Sequence, residues 1–199
     1  MFTGIIENAG KVIAIHQNGT NTSFTIESVI SKELKVDQSV SHSGVCLTVE
    51  QQVGNTHTVT AIAETLAKTN LQEWELGELI NLERCMQMNG RLDGHIVQGH
   101  VDAVAVCTEV IERDGSWEYR FAFDKQFAHL VIEKGSVCLN GISLTCFAVT
   151  DDSFKVAIIP YTYHHTNIQT VQVGTKVNIE FDVIGKYIHR LQQMQWQKL

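Results

Sequence analysis

Two related motifs carry small nucleophilic side chains at the same spacing. Residues 40–49 read VSHSGVCLTV and residues 137–146 read VCLNGISLTC. In each motif a glycine precedes Cys46 or Ser143 by two positions, and a threonine follows two positions later. Because side chains two apart on a strand face the same side, each motif would present a thiol or hydroxyl beside a threonine hydroxyl. Such a pair can bind carbonyl and hydroxyl groups or move protons. The alternative, ordinary half-buried strand residues, is weakened by the repetition.

A pair of histidines lies between these motifs. The segment GHIVQGHVD, residues 94–102, places His95 and His100 five positions apart. An odd spacing on a strand puts the two imidazoles on opposite faces, and five is also a poor spacing for a metal pair on a helix. We therefore expect no metal site. We expect one histidine to act in a binding or catalytic site and the other to make a structural hydrogen bond.

Two charged residues add to the candidates. Lys134 precedes the second motif where Asp37 precedes the first, so the two motifs cannot do identical jobs. Lys134 either contacts an anionic or carbonyl group or is a solvated turn residue. Asp182 follows the last predicted strand, where it either stabilises charge in a site or caps the following helix. The sequence has no Walker A, GxGxxG, HExxH or GxSxG pattern, so phosphate loops and the common hydrolase chemistries are not supported.

Both motifs belong to an internal repeat. At an offset of 97 residues, VSHSGVCLTV aligns with VCLNGISLTC, AIAETLAKTN with IIPYTYHHTN, and LGELINLE with VGTKVNIE. Near the N-terminus the best offset is 95, which aligns Gly4 with Gly99. We interpret this as the tandem duplication of one small domain. The predicted domains are an N half at residues 1–90, a C half at residues 91–182 and a tail at residues 183–199.

The pattern within each half predicts strands. Short segments rich in Val, Ile, Thr and Phe alternate with glycine, asparagine and aspartate turns, which is typical of an all-β domain. The clearest predicted strands lie at residues 21–29, 57–63, 118–123 and 154–159. The stretches ETLAKTNLQEW and YTYHHTNIQT each follow a strand and have helical character. About six strands in about 90 residues favour a small closed barrel, which leaves no exposed edge.

The tail has a different period. Ile184, Ile188, Leu191 and Met194 recur at helical spacing, so residues 183–199 predict an amphipathic helix with one apolar stripe. The stripe must be buried somewhere. It either lies on its own barrel or packs against other copies of the chain, and we favour the second interpretation.

Composition excludes several classes of protein. The chain has 199 residues, is 44% hydrophobic and carries a net charge of −7. It has no apolar run long enough for a membrane span and no basic region followed by an apolar one, so we expect no membrane insertion and no secretory signal. The negative charge argues against nucleic-acid binding. Its five cysteines are odd in number and lack CxxC spacing, which argues against disulfides or structural zinc and fits a cytoplasmic protein.

Taken together, these segments resemble one known family. MFTGII, SGVCLTV, GHIVQGHVD, KGSVCLNGISLT, IPYTYHHTN and VNIEFDVIGKYIHR closely resemble riboflavin synthase of the alpha-chain type, almost from end to end. The resemblance implies two six-stranded Greek-key β-barrels and a C-terminal helix that joins three chains. It implies a four-carbon transfer between two molecules of 6,7-dimethyl-8-ribityllumazine without cofactor or metal, with two substrates in an active site shared between neighbouring chains. Lumazine synthase is a further partner that the resemblance leaves open.

The resemblance also implies site residues. For chemistry we expect Cys46, His100, Ser143 and Asp182. We expect the N-half pocket to use residues 4–6 and the C-half pocket to use residues 99–101, with Phe2 packing over a ring. The full set expected to bind substrate is Phe2, Gly4, Ile5, Ile6, Ser41, Cys46, Leu47, Thr48, Thr60, Ala61, Ile62, Ala63, Glu64, Thr65, Gly99, His100, Val101, Lys134, Ser143, Leu144, Thr145, Ala157, Ile158, Ile159, Pro160, Tyr161 and Thr162.

One departure from the family pattern and two rival functions remain. The family usually has Asn-Gly before the first CLT motif, whereas this chain has Ser43-Gly44, which puts the details of the N-half pocket in doubt. A non-catalytic relative that binds a lumazine or flavin as a fluorescent antenna would share the barrels but lose the polar motif in one half, and here both motifs are present. A flavin-dependent oxidoreductase would need a nucleotide-binding domain with a glycine-rich loop, which is absent.

Overall fold

The computed structural model describes residues 1–196, and it forms two six-stranded barrels followed by a helix. Residues 197–199 of the predicted tail lie outside the described residues. All strand pairs are antiparallel. The first barrel consists of β1 (Asn8–Asn18), β2 (Asn21–Glu27), β3 (Ser39–His42), β4 (Val45–Val53), β5 (Thr56–Ala61), the short helix α1 (Ala63–Lys68) and β6 (Leu79–Arg84).

The second barrel repeats this order. It consists of β7 (Ala103–Arg113), β8 (Ser116–Ala122), β9 (Ser136–Leu139), β10 (Ile142–Thr145), β11 (Ser153–Ile158), the short helix α2 (Pro160–His165) and β12 (Lys176–Phe181), and the chain continues into α3 (Val183–Trp196). The strand order β1-β2-β5-β4-β3-β6 closes the first barrel, and β10-β9-β12-β7-β8-β11 is the same cyclic order. The seam between β10 and β11 is reduced to one bridge, Phe147 to Lys155. The predicted all-β fold with tandem barrels and a C-terminal helix is confirmed.

Alternating side chains build a separate core inside each barrel. On β2, Phe24 and Ile26 point inward, and on β8 Tyr119 and Phe121 do the same. Each such buried side chain contributes about 1.5–3 kcal/mol to folding. The alternation also fixes the outer face of each strand, because the side chain after each core residue must point away from the core. Cys46 and Ser143 lie on these outer faces.

A buried polar network joins the two barrels. Asn81 Nδ2 donates to Asn140 O at 2.9 Å and to Asn167 Oδ1 at 2.7 Å, and Asn178 Nδ2 donates to Ser43 O at 2.9 Å. Ser43 is 1% exposed, and its Oγ accepts from the Asn81 N–H at 3.2 Å. The residue that departs from the family pattern therefore lies in the contact between barrels, not in a pocket lining. The substitution at position 43 therefore leaves the lining of the N-half pocket unchanged.

Helix α3 contacts its own barrel through few groups. The His129 and His189 rings stack with centroids 3.7 Å apart, and Lys186 Nζ lies 2.6 Å from Asp102 Oδ2. The predicted apolar stripe faces away from the barrel, since its side chains, together with Tyr187, are 47–68% exposed. No helix among residues 1–196 has the length and hydropathy needed to cross a membrane.

Candidate active site

Cys46 lies on the outer face of β4 beside a small pocket, which we call the N-half pocket. The neighbouring Leu47 points into the first core, so the Cys46 side chain points outward and is half-buried. The cavity has a volume of about 230 Å³. It is lined by Val45, Cys46, Glu64, Thr65, Lys68, Thr69, Gly99, His100 and Val101.

Ser143 occupies the equivalent place on β10, and we call the region around it the C-half pocket by analogy with the first. Its Oγ lies 2.7 Å from Nδ1 of His95, a histidine that is 8% exposed. In the repeat, Tyr161 and Thr162 align with Glu64 and Thr65, which line the N-half pocket with Cys46. The two motifs therefore occupy equivalent strand positions but carry different acid–base groups.

The short segments that complete the pockets cross between the halves. The Cys46 N–H donates to Gly99 O at 2.9 Å, and the Ser143 N–H donates to Gly4 O at 2.8 Å. Val101 packs on the first core and Ile6 on the second. This corrects the prediction: residues 99–101 line the N-half pocket, whereas Gly4 and Ile6 contact the C half. A repeat aligns equivalent residues but cannot show that the chain exchanges them between the two copies.

Two glycines permit this crossing. Gly4 and Gly99 have φ of +77° and +78°, a region that side chains other than glycine rarely adopt. A Cβ on Gly4 would lie 2.6 Å from the Ser143 Cβ, and one on Gly99 would lie 2.6 Å from the Cys46 Cβ. The backbone of each crossing segment therefore lies directly against the motif of the opposite half.

Two buried glutamates hold the crossing segments, and the sequence analysis did not assign them a role. Glu83 accepts the N–H of Thr3 at 2.6 Å and of Gly4 at 3.0 Å. Glu180 accepts the N–H of Gln98 at 2.7 Å, of Gly99 at 2.8 Å and of His100 at 2.9 Å. Glu83 and Glu180 align with each other in the repeat, and this identical pair was the sequence signal that could have revealed their role. We call these two arrangements the carboxylate clamps.

Burial tunes the titratable groups of the site. It raises the pKa of the Cys46 thiol, so this side chain is a neutral thiol rather than a thiolate near neutral pH. It lowers the pKa of His95, against an opposing effect from the nearby Asp182 carboxylate. It also raises the pKa of both clamp glutamates, while the N–H groups that they accept act to lower it. A neutral His95 next to Ser143 can accept the serine proton through Nδ1.

Several predicted residues have surroundings that limit their role. Phe2 is fully buried against Val97 and Cys138, so the prediction that it packs over a ligand ring is corrected: its ring supports the site from beneath. Leu47, Ala61 and Ile158 face the cores and can offer a ligand only main-chain atoms. Ser41 is 1% exposed and its Oγ has no hydrogen-bond partner within the described residues.

The remaining predicted residues lie nearer the surface. Lys134 is an exposed turn residue with φ of +64° whose ammonium lies 5.7 Å from the Phe147 ring centroid. Asp182 Oδ1 accepts the Ile184 N–H at 3.0 Å, so it caps α3 as well as acting on His95. Thr60 Oγ1 donates to Glu50 at 2.8 Å. The other predicted side chains are exposed or half-buried: Ile5, Thr48, Ile62, Ala63, Leu144, Thr145, Ala157, Ile159 and Pro160.

Comparison with known proteins places this arrangement in a family. A family profile described as the lumazine binding domain matches residues 3–85 and again residues 98–182. Riboflavin synthase of Actinobacillus pleuropneumoniae is 40% identical over 191 residues, covering 96% of this chain and 89% of that protein, and riboflavin synthase of Bacillus subtilis is 38% identical with the same coverage.

Solved structures agree on the fold. The structure of LumP complexed with riboflavin superimposes with a TM-score of 0.86 at 22% identity, covering 91% of this chain and 99% of that one. LumP complexed with 6,7-dimethyl-8-(1'-D-ribityl) lumazine gives a TM-score of 0.82 at 22% identity, covering 90% and 98%. With a duplicated domain match and close sequence relatives along almost its whole length, the chain belongs to the riboflavin synthase family.

Proposed function

We propose that the protein converts two molecules of 6,7-dimethyl-8-ribityllumazine into riboflavin and 5-amino-6-(ribitylamino)uracil. One molecule donates a four-carbon unit and the other accepts it, so the atoms balance without an oxidant or reductant. The observation that carries the proposal is the pair of equivalent motifs, each contacted by a segment that crosses from the other half. They provide two copies of one binding frame for two copies of one substrate, but with different acid–base groups.

We assign binding to the main chain and the hydroxyl groups around each pocket. Peptide groups of the crossing segments, and of the chain that follows Thr60 in β5 and Ala157 in β11, suit the ring carbonyls and ring nitrogens. The hydroxyls of Thr65 and Thr162 suit the ribityl chain. Holding two rings in one orientation converts a bimolecular encounter into a local reaction, which lowers the entropic part of the barrier.

Proton transfer in the C-half pocket is assigned to Ser143 and His95. The reaction requires a proton to leave the acidic 7-methyl group of one lumazine. Further protons must move as bonds break in the ring of the other lumazine, which donates the four-carbon unit. Neutral His95 accepts a proton through the Ser143 hydroxyl, and Asp182 stabilises the imidazolium that forms. In the N-half pocket the neutral Cys46 thiol can donate a proton to the other ring, and His100 lines the same cavity.

Assembly follows from α3. We propose a homotrimer in which the exposed stripes of three helices pack together, with each active site formed by the N-half pocket of one chain and the C-half pocket of a neighbour. The stripe supports this because so much apolar area is rarely left to solvent. The proposal keeps the domain division at residues 1–90, 91–182 and 183–199. Five free cysteines support a cytoplasmic location.

The test is to mix metal-free protein with 6,7-dimethyl-8-ribityllumazine and follow the conversion to riboflavin by absorbance. We expect two substrates consumed for each riboflavin formed. Ser143→Ala should reduce kcat by about 10²-fold, whereas Ser116→Ala, at the start of β8, should leave it unchanged. Tight fluorescent binding without turnover would instead support the antenna function, and Ser143→Ala with full activity would remove Ser143 from the mechanism.

A further inference from the structure

Beside each carboxylate clamp a second carboxylate pairs with a cation, and the two cations come from different elements. In the N half, Glu7 accepts the Arg84 N–H at 2.7 Å and the Arg84 Nε–H at 2.8 Å, so the cation belongs to β6 itself. In the C half, Asp102 Oδ2 accepts the equivalent N–H, that of Phe181, at 2.9 Å. Its cation is Lys186 of α3, whose Nζ lies 2.6 Å away.

Asp102 is directly continuous with the wall of the N-half pocket. Residues 99–101 line that pocket, and Glu180 accepts the N–H groups of Gly99 and His100. Lys186 and Asp102 are only 24% and 20% exposed, so the ion pair is partly shielded from water. The Lys186 charge also acts on buried Glu180. Helix, clamp and pocket wall therefore form one connected set of contacts within a single chain.

We propose that Lys186 is a positioning residue that fixes the wall of the N-half pocket that contains His100. The contact of α3 with the second barrel would then set the geometry of a pocket at the first barrel. Lys186 does not touch the substrate in this arrangement. It acts by holding Asp102 and by keeping Glu180 ionised, and Glu180 in turn fixes the backbone of His100. This inference rests on the proposed function of that pocket.

The mechanism has a pH signature. The titratable groups that face Glu180 are Lys186 from α3, Cys138 from β9 and Cys46 from β4. Burial raises the pKa of Glu180, and the Lys186 charge opposes that rise. Without Lys186 the carboxyl would protonate at a higher pH. A protonated Glu180 is a weaker acceptor for three N–H groups, so the wall should loosen as the pH falls.

The experiment compares full-length Lys186→Gln, Lys186→Arg and the control Lys176→Gln. Lys176 is a lysine of the same barrel whose partner is the exposed Glu73. Assembly is measured by analytical ultracentrifugation, and kcat/KM and lumazine affinity are measured from pH 5.5 to 8.5. We expect Lys186→Gln to stay assembled, because the apolar stripe is untouched. We expect its kcat/KM at neutral pH to fall about tenfold. On the acidic side of the pH profile, we expect the fall in kcat/KM to begin about half a pH unit higher than in the wild type. Lys186→Arg should restore both, and Lys176→Gln should match the wild type.

Three results would overturn the inference. One is an assembled Lys186→Gln protein with the wild-type pH profile and affinity. Another is a loss of activity that Lys186→Arg does not rescue, since that would indicate a general packing role. If Lys186→Gln does not fold, Asp102→Asn breaks the same link from the other side, and a wild-type pH profile in that variant is the third. A wild type that binds lumazine but forms no riboflavin would contradict the proposed function alone, because lumazine affinity still reports the pocket wall.

Discussion

A buried pair of histidines in the first barrel should make folding stability depend on pH. His42 Nε2 lies 2.8 Å from His57 Nε2, and the outer nitrogens bond Val40 O at 3.0 Å and Ser31 Oγ at 2.8 Å. Both imidazoles are at most 1% exposed. At the equivalent positions the second barrel has apolar residues, Leu139 for His42 and Phe154 for His57. The chain thus supplies a natural replacement for the pair.

The magnitude follows from the titration of the two groups. Burial, with repulsion from His57, lowers the pKa of His42 to about 3, and burial lowers the pKa of His57 to about 4. In the unfolded chain each titrates near 6.5. Because the folded pKa is the lower one, stability is full above pH 6.5 and is lost as the pH falls below it, as only the unfolded chain takes up protons. At pH 5 the loss is about 2 kcal/mol for each histidine and about 4 kcal/mol for the pair.

The assay is urea unfolding at fixed protein concentration between pH 7.5 and 5. The variant carries Ser31→Ala, His42→Leu and His57→Phe, which reproduces Ala128, Leu139 and Phe154 of the second barrel and leaves no unpaired serine. We expect the wild type to lose about 4 kcal/mol more than the variant over this range. Any constant effect of repacking cancels, because the comparison uses the slopes with pH. The glutamates of the clamps are common to both proteins and cancel as well.

Parallel pH dependences in the two proteins would refute this reasoning. They would mean that the pair is protonated in the folded state, or that water reaches it. A single His57→Phe variant separates these cases. It removes one of the two titrations and should halve the difference in slope if both imidazoles are neutral when folded.

Three further predictions concern the network, the pockets and the tail. Ser43→Asn should raise the free energy of unfolding by about 0.5–1 kcal/mol, because asparagine tolerates the positive φ of +45° better and still offers an acceptor to the Asn81 N–H; lumazine affinity should not change, and a change would place Ser43 in the pocket after all. Gly99→Ala should cost about 1–2 kcal/mol in backbone strain and weaken lumazine binding through its clash with Cys46, as calorimetry and fluorescence titration can show; normal binding would mean that the crossing segment can move aside. Deleting residues 183–199 should convert the assembly to monomers in sedimentation experiments, and a trimer that survives would transfer the oligomerisation role to the barrels.

Much of this protein could be predicted from its sequence because the same signals occur twice. The period of two around Phe24 and Tyr119 has a direct physical cause in the pleat of a strand, and it fixed which side chains point out. Cys46 and Ser143 were found for the same reason. The helical spacing of the tail likewise predicted α3 and its apolar stripe. These are local patterns, and each depends only on residues a few positions apart.

The pairing of the halves depended on long-range contacts that no local pattern contains. Glu83 reaches Gly4 and Glu180 reaches Gly99, so each crossing segment is held by one barrel while lying against the motif of the other. His95 could be recognised as the partner of Ser143 only once 48 positions of chain had folded between them. The sequence by itself determined the strands, the duplication and the residue types of the two pockets, since these follow from periodicity and composition. Only the tertiary structure decided which segment completes which pocket and which carboxylate holds it, because hydrogen bonds between distant residues select one of several arrangements that the same pattern allows.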